Sequence, residues 1–484
     1  INSIKPYENR NALVARQMSD ENPLGEITYI KSCKSCGKLD EVTESELDAE
    51  ELKCSEENGG CGFSNPEDKD GQKISVFKAA SPLAYRTDLS KGLDADENNE
   101  FNLTSSSLTV ANSSPSKSKV VRNTFLSASD QAEVYRISDN GGNLFSGRLY
   151  KTKHQERSIN NQDFYLKNQW IEDRFSRGFI ADPADSESEK IALLSKKITD
   201  NVSFSPNKTP DGILLNHSDF KATYKLQNTV IKSAFYSAAF ILRKMLAKDL
   251  DIDPIELEIS RLQLFSQSPL DPQTGKFSLS DELANGSGFS SWIYETGFNN
   301  AINEIYSLDQ SKNSILSGLL DQSHVQNCDS SGYCCMHDFK NMNFHPILDW
   351  RLGLNVLYHF AVEDFSSGLT NASSETSLPF MDFCPTHSET HKKVEDFCSS
   401  IEEIEFAPLG QLPGFKTNYF RAVLVHPLWD LSGGSEDKLT ATQLDNSVVV
   451  EASIEENDLE IKYFDLFNLS RRPMTTIAAL FDDD

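Results

Sequence analysis

The sequence predicts an α+β, multidomain chain. It reads as an N-terminal zinc-ribbon-like module, a connecting segment with β character, and a larger mixed α/β domain that carries a second Cys/His cluster. Three observations predict this. The cysteines fall in two groups, one spaced C-x2-C-x17-C-x6-C and one with three cysteines inside eight residues. Apolar residues recur at helical spacing over 235–246 and 348–360. Two apolar runs of strand type, 421–429 and 459–467, close the chain. At roughly 100–200 residues per domain, a length of 484 fits a division into 1–85, 86–185 and 186–484.

The first segment is built on K-S-C-K-S-C-G and C-S-E-E-N-G-G-C-G. Cys33, Cys36, Cys54 and Cys61 supply four thiolates, and four thiolates around a tetrahedral d10 ion make a closed structural zinc site. A small region with little core needs such a site for stability. With no open coordination position, zinc there means architecture. Between the pairs, Thr43 and Glu46 have capping-box spacing for a short helix, inside a run with nine acidic residues between Asp40 and Glu57.

Residues 88–119 are polar and rich in Asn, Ser and Asp, which reads as loop or linker. Residues 190–204 read as a helix end or strand leading into another strand. Phe235, Ala238, Ala239, Leu242, Met245 and Leu246 then share one helical stripe, a core pattern, which Asp251, Asp253 and Pro254 end. A second helix is predicted over 346–360, with Pro346 suited to its first turn. There is no internal repeat, which argues against a solenoid.

The chain has 46 Lys+Arg against 73 Asp+Glu, a formal charge of -27. Phosphate binding requires Lys and Arg to displace counterions, so nucleic acid is not recruited by the overall field, and any contact is local or belongs to a partner. No apolar run approaches the roughly 18 residues of a membrane span. Nine cysteines, clustered and odd in number, indicate thiol or metal usage in a reducing compartment. The expected localisation is cytoplasmic, and the Asn-x-Ser/Thr triplets at Asn102 and Asn468 are chance matches.

The second cluster is C-D-S-S-G-Y-C-C-M-H-D-F-K-N-M-N-F-H-P-I-L-D-W-R-L. Cys328, Cys334 and Cys335 do not complete a tetrahedral site, and the fourth ligand is open among His337, His345, Cys384 and Cys398. On another reading one of the adjacent cysteines is simply buried, because neighbouring residues do not easily ligate one ion.

This stretch resembles the C-terminal zinc-binding domain of MrfA-type helicases, shared by DrmB proteins of the DISARM anti-phage system. Cys328, Tyr333, Cys335, Met336, Phe339, Asn341, His345, Leu348 and Asp349 fall on that family's pattern in order. Gly332 stands where a cysteine belongs and Trp350 where an arginine does. Residues 250–258, Thr199–Asp200, 292–298 and 426–429 add looser likeness, so the resemblance spans about 190–430. It implies a helicase-associated domain in a non-catalytic subunit that pairs with a separate superfamily 2 helicase, DrmA, and reaches DNA through the complex.

No G-x-x-x-x-G-K-[ST] is present, and the nearest imitation, residues 410–417, has the wrong spacing to cradle phosphates. His387 and His391 lie four apart, but Glu389 is not where H-E-x-x-H places its base. His426, in a strand before Pro427, reads as a core histidine. The basic stretches are Lys117, Lys119 and Arg122; Arg148, Lys151, Lys153 and Arg157; and Arg174 and Arg177. The last stretch neighbours Phe164, Tyr165 and Trp170, which are able to stack bases; the other reading of these charges is a solvated face that balances local acids. Two other readings compete with the accessory subunit. One is a metal-dependent nuclease or hydrolase with an open position at the second cluster. The other is an acidic DNA-mimicking regulator.

Overall fold

The computed structural model describes residues 12–16, 27–34, 36–46, 49, 51–55, 61–66, 72–81, 84–87, 107–110, 115–138, 144–151, 177–181, 189–207, 229–265, 274–308, 313–363, 365, 388–401, 403–408, 412–428 and 460–481. The fold is mixed α and β, in two units that interleave along the chain. The first comprises Ile1–Ser114, Asp130–Asp200 and Leu283–Gly286; the second comprises Pro115–Ser129, Asn201–Glu282 and Ser287–Asp484.

The strands up to residue 206 are β1 (Ala12–Arg16), β2 (Ile27–Cys33), β3 (Leu39–Val42), β4 (Ile74–Ala80), β5 (Ala84–Thr87), β6 (Ser107–Val110), β7 (Lys117–Val121), β8 (Thr124–Ser138), β9 (Phe145–Lys151), β10 (Arg177–Ala181) and β11 (Glu189–Pro206). In the first unit they run in the order β3-β2-β4-β11-β9-β10-β1-β5. Only β4 and β11 pair in parallel along this path. Period-2 alternation buries Ile30, Leu39, Ala79, Ile137, Ala192 and Leu194 around Tyr135. The Tyr135 hydroxyl donates to Glu41 at 2.6 Å, and Lys196 lies 3.1 Å from both Glu41 and Glu133. Burial opposes ionisation of Glu41, but these donors together hold its carboxyl below the usual range. Lys31 pairs with Glu46 at 2.8 Å, so several acids of the 40–57 run are neutralised locally.

In the second unit, β14 (Thr274–Asp281) joins the far half of β11 to β12 (Leu257–Ile259) and β13 (Gln263–Phe265). A separate sheet runs β15 (Glu405–Phe406), β16 (Gly414–Lys416), β17 (Phe420–Val425), β18 (Glu460–Asp465). The helices are α1 (Thr229–Leu250), α2 (Phe289–Trp292), a π turn (Ile293–Gly297), α3 (Phe298–Ser307), α4 (Ser314–Leu320), α5 (Gln322–Asn327), α6 (Trp350–Ala361), α7 (Ser388–Cys398), α8 (Leu466–Arg471) and α9 (Pro473–Phe481). The 235–246 stripe lies on α1 and is buried throughout. Phe204, Phe277, Phe298 and Phe360 form a ring cluster with centroids 5.1–6.1 Å apart.

Several local expectations are corrected. The stretch 88–119 is not all linker, since β6 and most of β7 lie within it. Residues 190–204 belong to one long strand, β11. Among the described residues Thr43 leads a 3-10 turn, Glu44–Glu46, and its hydroxyl bonds Ser45 Oγ at 2.8 Å rather than completing a capping box. The second helix begins at Trp350 rather than Pro346, because Asp349 caps it by accepting from the Arg351 and Leu352 N–H groups. The reading of His426 as a core histidine holds: it is buried and accepts the Leu428 N–H at 3.1 Å, and burial lowers its pKa to about 3.

Helices α1 and α6 cross at Gly353, where an added Cβ would lie 2.8 Å from the backbone carbonyl carbon of Ser237. Glycine normally weakens a helix interior, so it stands here for close approach. Gly353→Ala is expected to cost about 1–3 kcal/mol, the usual penalty for overpacking, read as a lowered urea midpoint at unchanged slope.

Candidate metal centres

In the first unit, β2 ends at Cys33 and turns sharply to Cys36. The Gly37 N–H donates back to the Cys33 carbonyl at 2.9 Å, with Gly37 at φ 77°. The second half repeats the design: the Gly62 N–H donates to the Cys54 carbonyl at 3.0 Å, with Gly62 at φ 70°. A side chain at either glycine would incur the left-handed penalty. Asn65 ties this second turn to β4, accepting from the Lys73 and Ile74 N–H groups and donating to the Ile74 carbonyl.

All four cysteines are buried, and their sulfurs lie within 4.8 Å of one another. Cys33 and Cys61 are 3.8 Å apart, Cys36 and Cys54 3.6 Å. Tetrahedral zinc with Zn–S bonds of about 2.3 Å sets its sulfurs about 3.8 Å apart, so the donor set fits zinc. Hydrogen bonding among the thiols raises Cys36 and Cys54 and lowers Cys61, with the Cys33 sulfur leading in each case. A divalent cation resolves that conflict by accepting four thiolates at once.

The second group joins His324 to Cys328, Cys334 and Cys335. Cys328 lies 3.8 Å from each of the other two sulfurs. The decisive atom is His324 Nε2, which is buried and without a hydrogen-bond partner, while Nδ1 lies 3.0 Å from the Leu319 carbonyl. A metal-bound histidine typically donates its other ring N–H to such a carbonyl. Four donors, three of sulfur and one of nitrogen, fit a closed zinc site. The Cys335 thiol is drawn down to about 4, first by its bond with Cys328 and then, against burial, by the Gly332 N–H and His324.

Among the described residues, the fourth donor is therefore His324 and not His337, His345 or Cys398. His337 and His345 stack at 3.7 Å with an interplanar angle of 4°, and Tyr333 packs edge-on against both. His337 Nε2 bonds Ser331 Oγ at 2.8 Å and His345 Nε2 bonds Asn341 Oδ1 at 2.7 Å, so these rings brace the turn. Cys398 is buried on α7, outside either group, its thiol pushed up to about 11 by burial. Cys384 lies outside the described residues. Cys334 is exposed and belongs to the cluster rather than to the core.

The block Asn341–His345–Leu348–Asp349 frames the site. Asn341 Nδ2 donates to the Met336 carbonyl at 2.9 Å, and Leu348 is fully buried. Trp350 Nε1 donates to the Cys328 carbonyl at 2.9 Å, and Arg351 donates to the carbonyls of Cys328, Asp329 and Val325 at 2.7–2.9 Å. The arginine that the pattern lacks at 350 is present one residue later. From α1, Lys244 donates to the Cys335 carbonyl at 2.7 Å and Arg243 pairs with Asp338 at 3.3 Å.

Of the basic residues, Arg148 and Lys151 lie on β9 and Arg177 on β10, where pairing sets Arg177 opposite Lys151 and Arg148 opposite Ile180. Lys153, Arg157 and Arg174, with Phe164, Tyr165 and Trp170, lie outside the described residues. In 410–417, residues Gly414–Lys416 are strand β16, paired with β17. Among the described residues, no helix is long and apolar enough to cross a membrane.

No protein family model and no curated protein sequence matches the chain. One solved structure with a partial likeness is that of the DUF1998 helicase MrfA bound to DNA, at TM-score 0.27 and 10% identity over 52% of this chain and 24% of that one. The chain thus matches about a quarter of that helicase's length, and the likeness is too slight to bear on function.

Metal analysis of the purified chain should give two zinc equivalents; His324→Ala and Cys61→Ser should each lose one, and Cys398→Ser neither. A second expectation concerns Asp349, which is fully buried and bonded to Arg471 at 3.0 Å. Burial raises its pKa and Arg471 opposes the rise. Arg471→Ala strands that charge and should cost about 3 kcal/mol. A raised carboxyl pKa gives stability at low pH that is lost as pH rises, so urea melts should show a larger deficit at pH 8 than at pH 5.

Proposed function

We propose that this chain is a non-catalytic, doubly zinc-stabilised subunit that works beside a superfamily 2 helicase on DNA, in a prokaryotic anti-phage assembly of the DISARM type. One observation carries the reading. Five of the residues that resemble the MrfA and DrmB zinc-binding domain have a structural task around the second cluster: Cys328 and Cys335 are donors, Asn341 and His345 brace the turn, and Asp349 starts the helix that holds it. None of these five is left over as a nucleophile or base.

The competing hydrolase needs an open coordination position, and His324 fills the fourth. The acidic-mimic reading rests on charge alone, and within the most acidic run Glu41 and Glu46 are engaged by Lys196 and Lys31. The negative charge suits docking on a basic partner.

The test is affinity purification of the tagged full chain with its neighbouring genes expressed. A helicase should co-elute. The isolated chain should bind DNA weakly and only at low salt, the complex tightly and with a steep salt slope. A chain that elutes alone, or a Cys335→Ser variant that stays folded yet loses a turnover, would overturn the proposal.

A further inference from the structure

One basic stretch is held in a way that folding alone does not require. Strand pairing of Val121 with Thr124 leaves Arg122 and Asn123 as a two-residue turn between β7 and β8. Arg122 sits at φ 51°, a conformation that such turns normally give to glycine, asparagine or aspartate. Asn123 secures the turn, its backbone N–H donating to the Phe360 carbonyl at 3.1 Å and its side chain to the His359 carbonyl at 3.2 Å. A strained residue kept in place by its surroundings points to a use for its side chain.

That side chain is pre-organised. The Arg122 guanidinium lies 3.6 Å from the Tyr306 ring centroid, and its Nε donates to Asn303 Oδ1 at 2.8 Å. Its two terminal nitrogens have no further partner among the described residues. Lys119 is placed in the same manner, 4.4 Å from the Tyr294 ring centroid and 3.4 Å from the Glu295 carbonyl. Lys117 makes only a long 3.9 Å contact with the exposed Glu295 carboxylate. Tyr294 and Glu295 are presented by the π turn, where a Cβ on Gly297 would meet the Trp292 ring at 2.1 Å. Such turns are frequent at functional sites.

We infer that the β7–β8 turn and the π turn together form a docking surface for single-stranded DNA. Arg122 and Lys119 take backbone phosphates, and the outer face of the Arg122 guanidinium stacks a base. The surface rests on the DNA-handling role proposed above. An acidic peptide would use the guanidinium fork alone, whereas a nucleotide strand uses both the fork and the flat face backed by Tyr306. Lys117, Lys119 and Arg122 also bring three cations together on one hairpin of a chain whose formal charge is -27.

The experiment is fluorescence anisotropy on the zinc-loaded full chain at low salt, with an oligo-dT probe of about 20 nucleotides, long enough for a site of roughly 4–16. Arg122→Gly and Lys119→Ala should each weaken binding about tenfold, the effect of one lost charge-assisted contact. Each should also reduce the salt slope by about 0.7. Because glycine suits the turn, Arg122→Gly should hold or raise the melting temperature. A lowered melting temperature with unchanged affinity and slope would make the arginine a structural clasp and overturn the inference. So would a wild-type chain that does not bind the probe, or displacement of the probe by polyglutamate as readily as by unlabelled oligo-dT. Helicase co-elution, measured on the same variants, reads the broader proposal separately: if the variants bind DNA normally while wild type co-elutes, only the docking surface fails.

Discussion

The start of helix α6 is the constraint on which the second metal centre depends. Asp349 satisfies the first orphan N–H groups of the helix while its own N–H donates to Ser237 Oγ on α1 at 2.8 Å. The next two residues, Trp350 and Arg351, reach back from the first turn to the carbonyls around Cys328. A helix N-terminus is electropositive, and a centre of three thiolates and one imidazole around a divalent ion carries excess negative charge. Cap, clamp and dipole therefore act in one direction. Metal geometry and helix packing are two readings of one set of bonds.

The two centres solve different problems. The four-cysteine set replaces a core: its small module has two tight turns and few buried apolar residues, and the ion supplies the cross-link. The set of three cysteines and one histidine sits against an extensive core of α1, α6 and the phenylalanine cluster, so its ion fixes a loop rather than a fold. Loss of a metal from the first centre would remove the module's organising contacts. At the second it would free a surface turn while the helices beneath remain packed.

How much of this is legible in the sequence depends on how local each feature is. Cys33, Cys36, Cys54 and Cys61 announce themselves because their spacing is the spacing of a chelating turn. The α1 stripe is equally plain, since a 3.6-residue period over buried positions has few other meanings. His324 escapes notice because it precedes the cysteine-rich stretch on a short helix, although its placement four residues before Cys328 is a usable ligand spacing on one helix face. His337 and His345 look better placed but have nitrogens committed to Ser331 and Asn341, and no local pattern reveals such commitments. Strand β7 is hidden by its composition: K-S-K-V-V is mostly exposed, and a polar strand looks like a linker. The start of α6 reads too early because Pro346 is a permissive first-turn residue, whereas Asp349 is an actual cap.

The exposure of Cys334 gives the second centre a property that the first lacks. Three of its donors are sheltered to some degree, but one sulfur meets solvent directly. Ligand exchange at a closed tetrahedral ion begins where an incoming thiol or chelator is able to touch a donor, so the two ions differ in kinetic lability even where their affinities are alike. An ion held at the buried centre would be a permanent part of the fold. One held at the second would be exchangeable, and it would order the turn carrying Tyr333 and Phe339, both largely exposed.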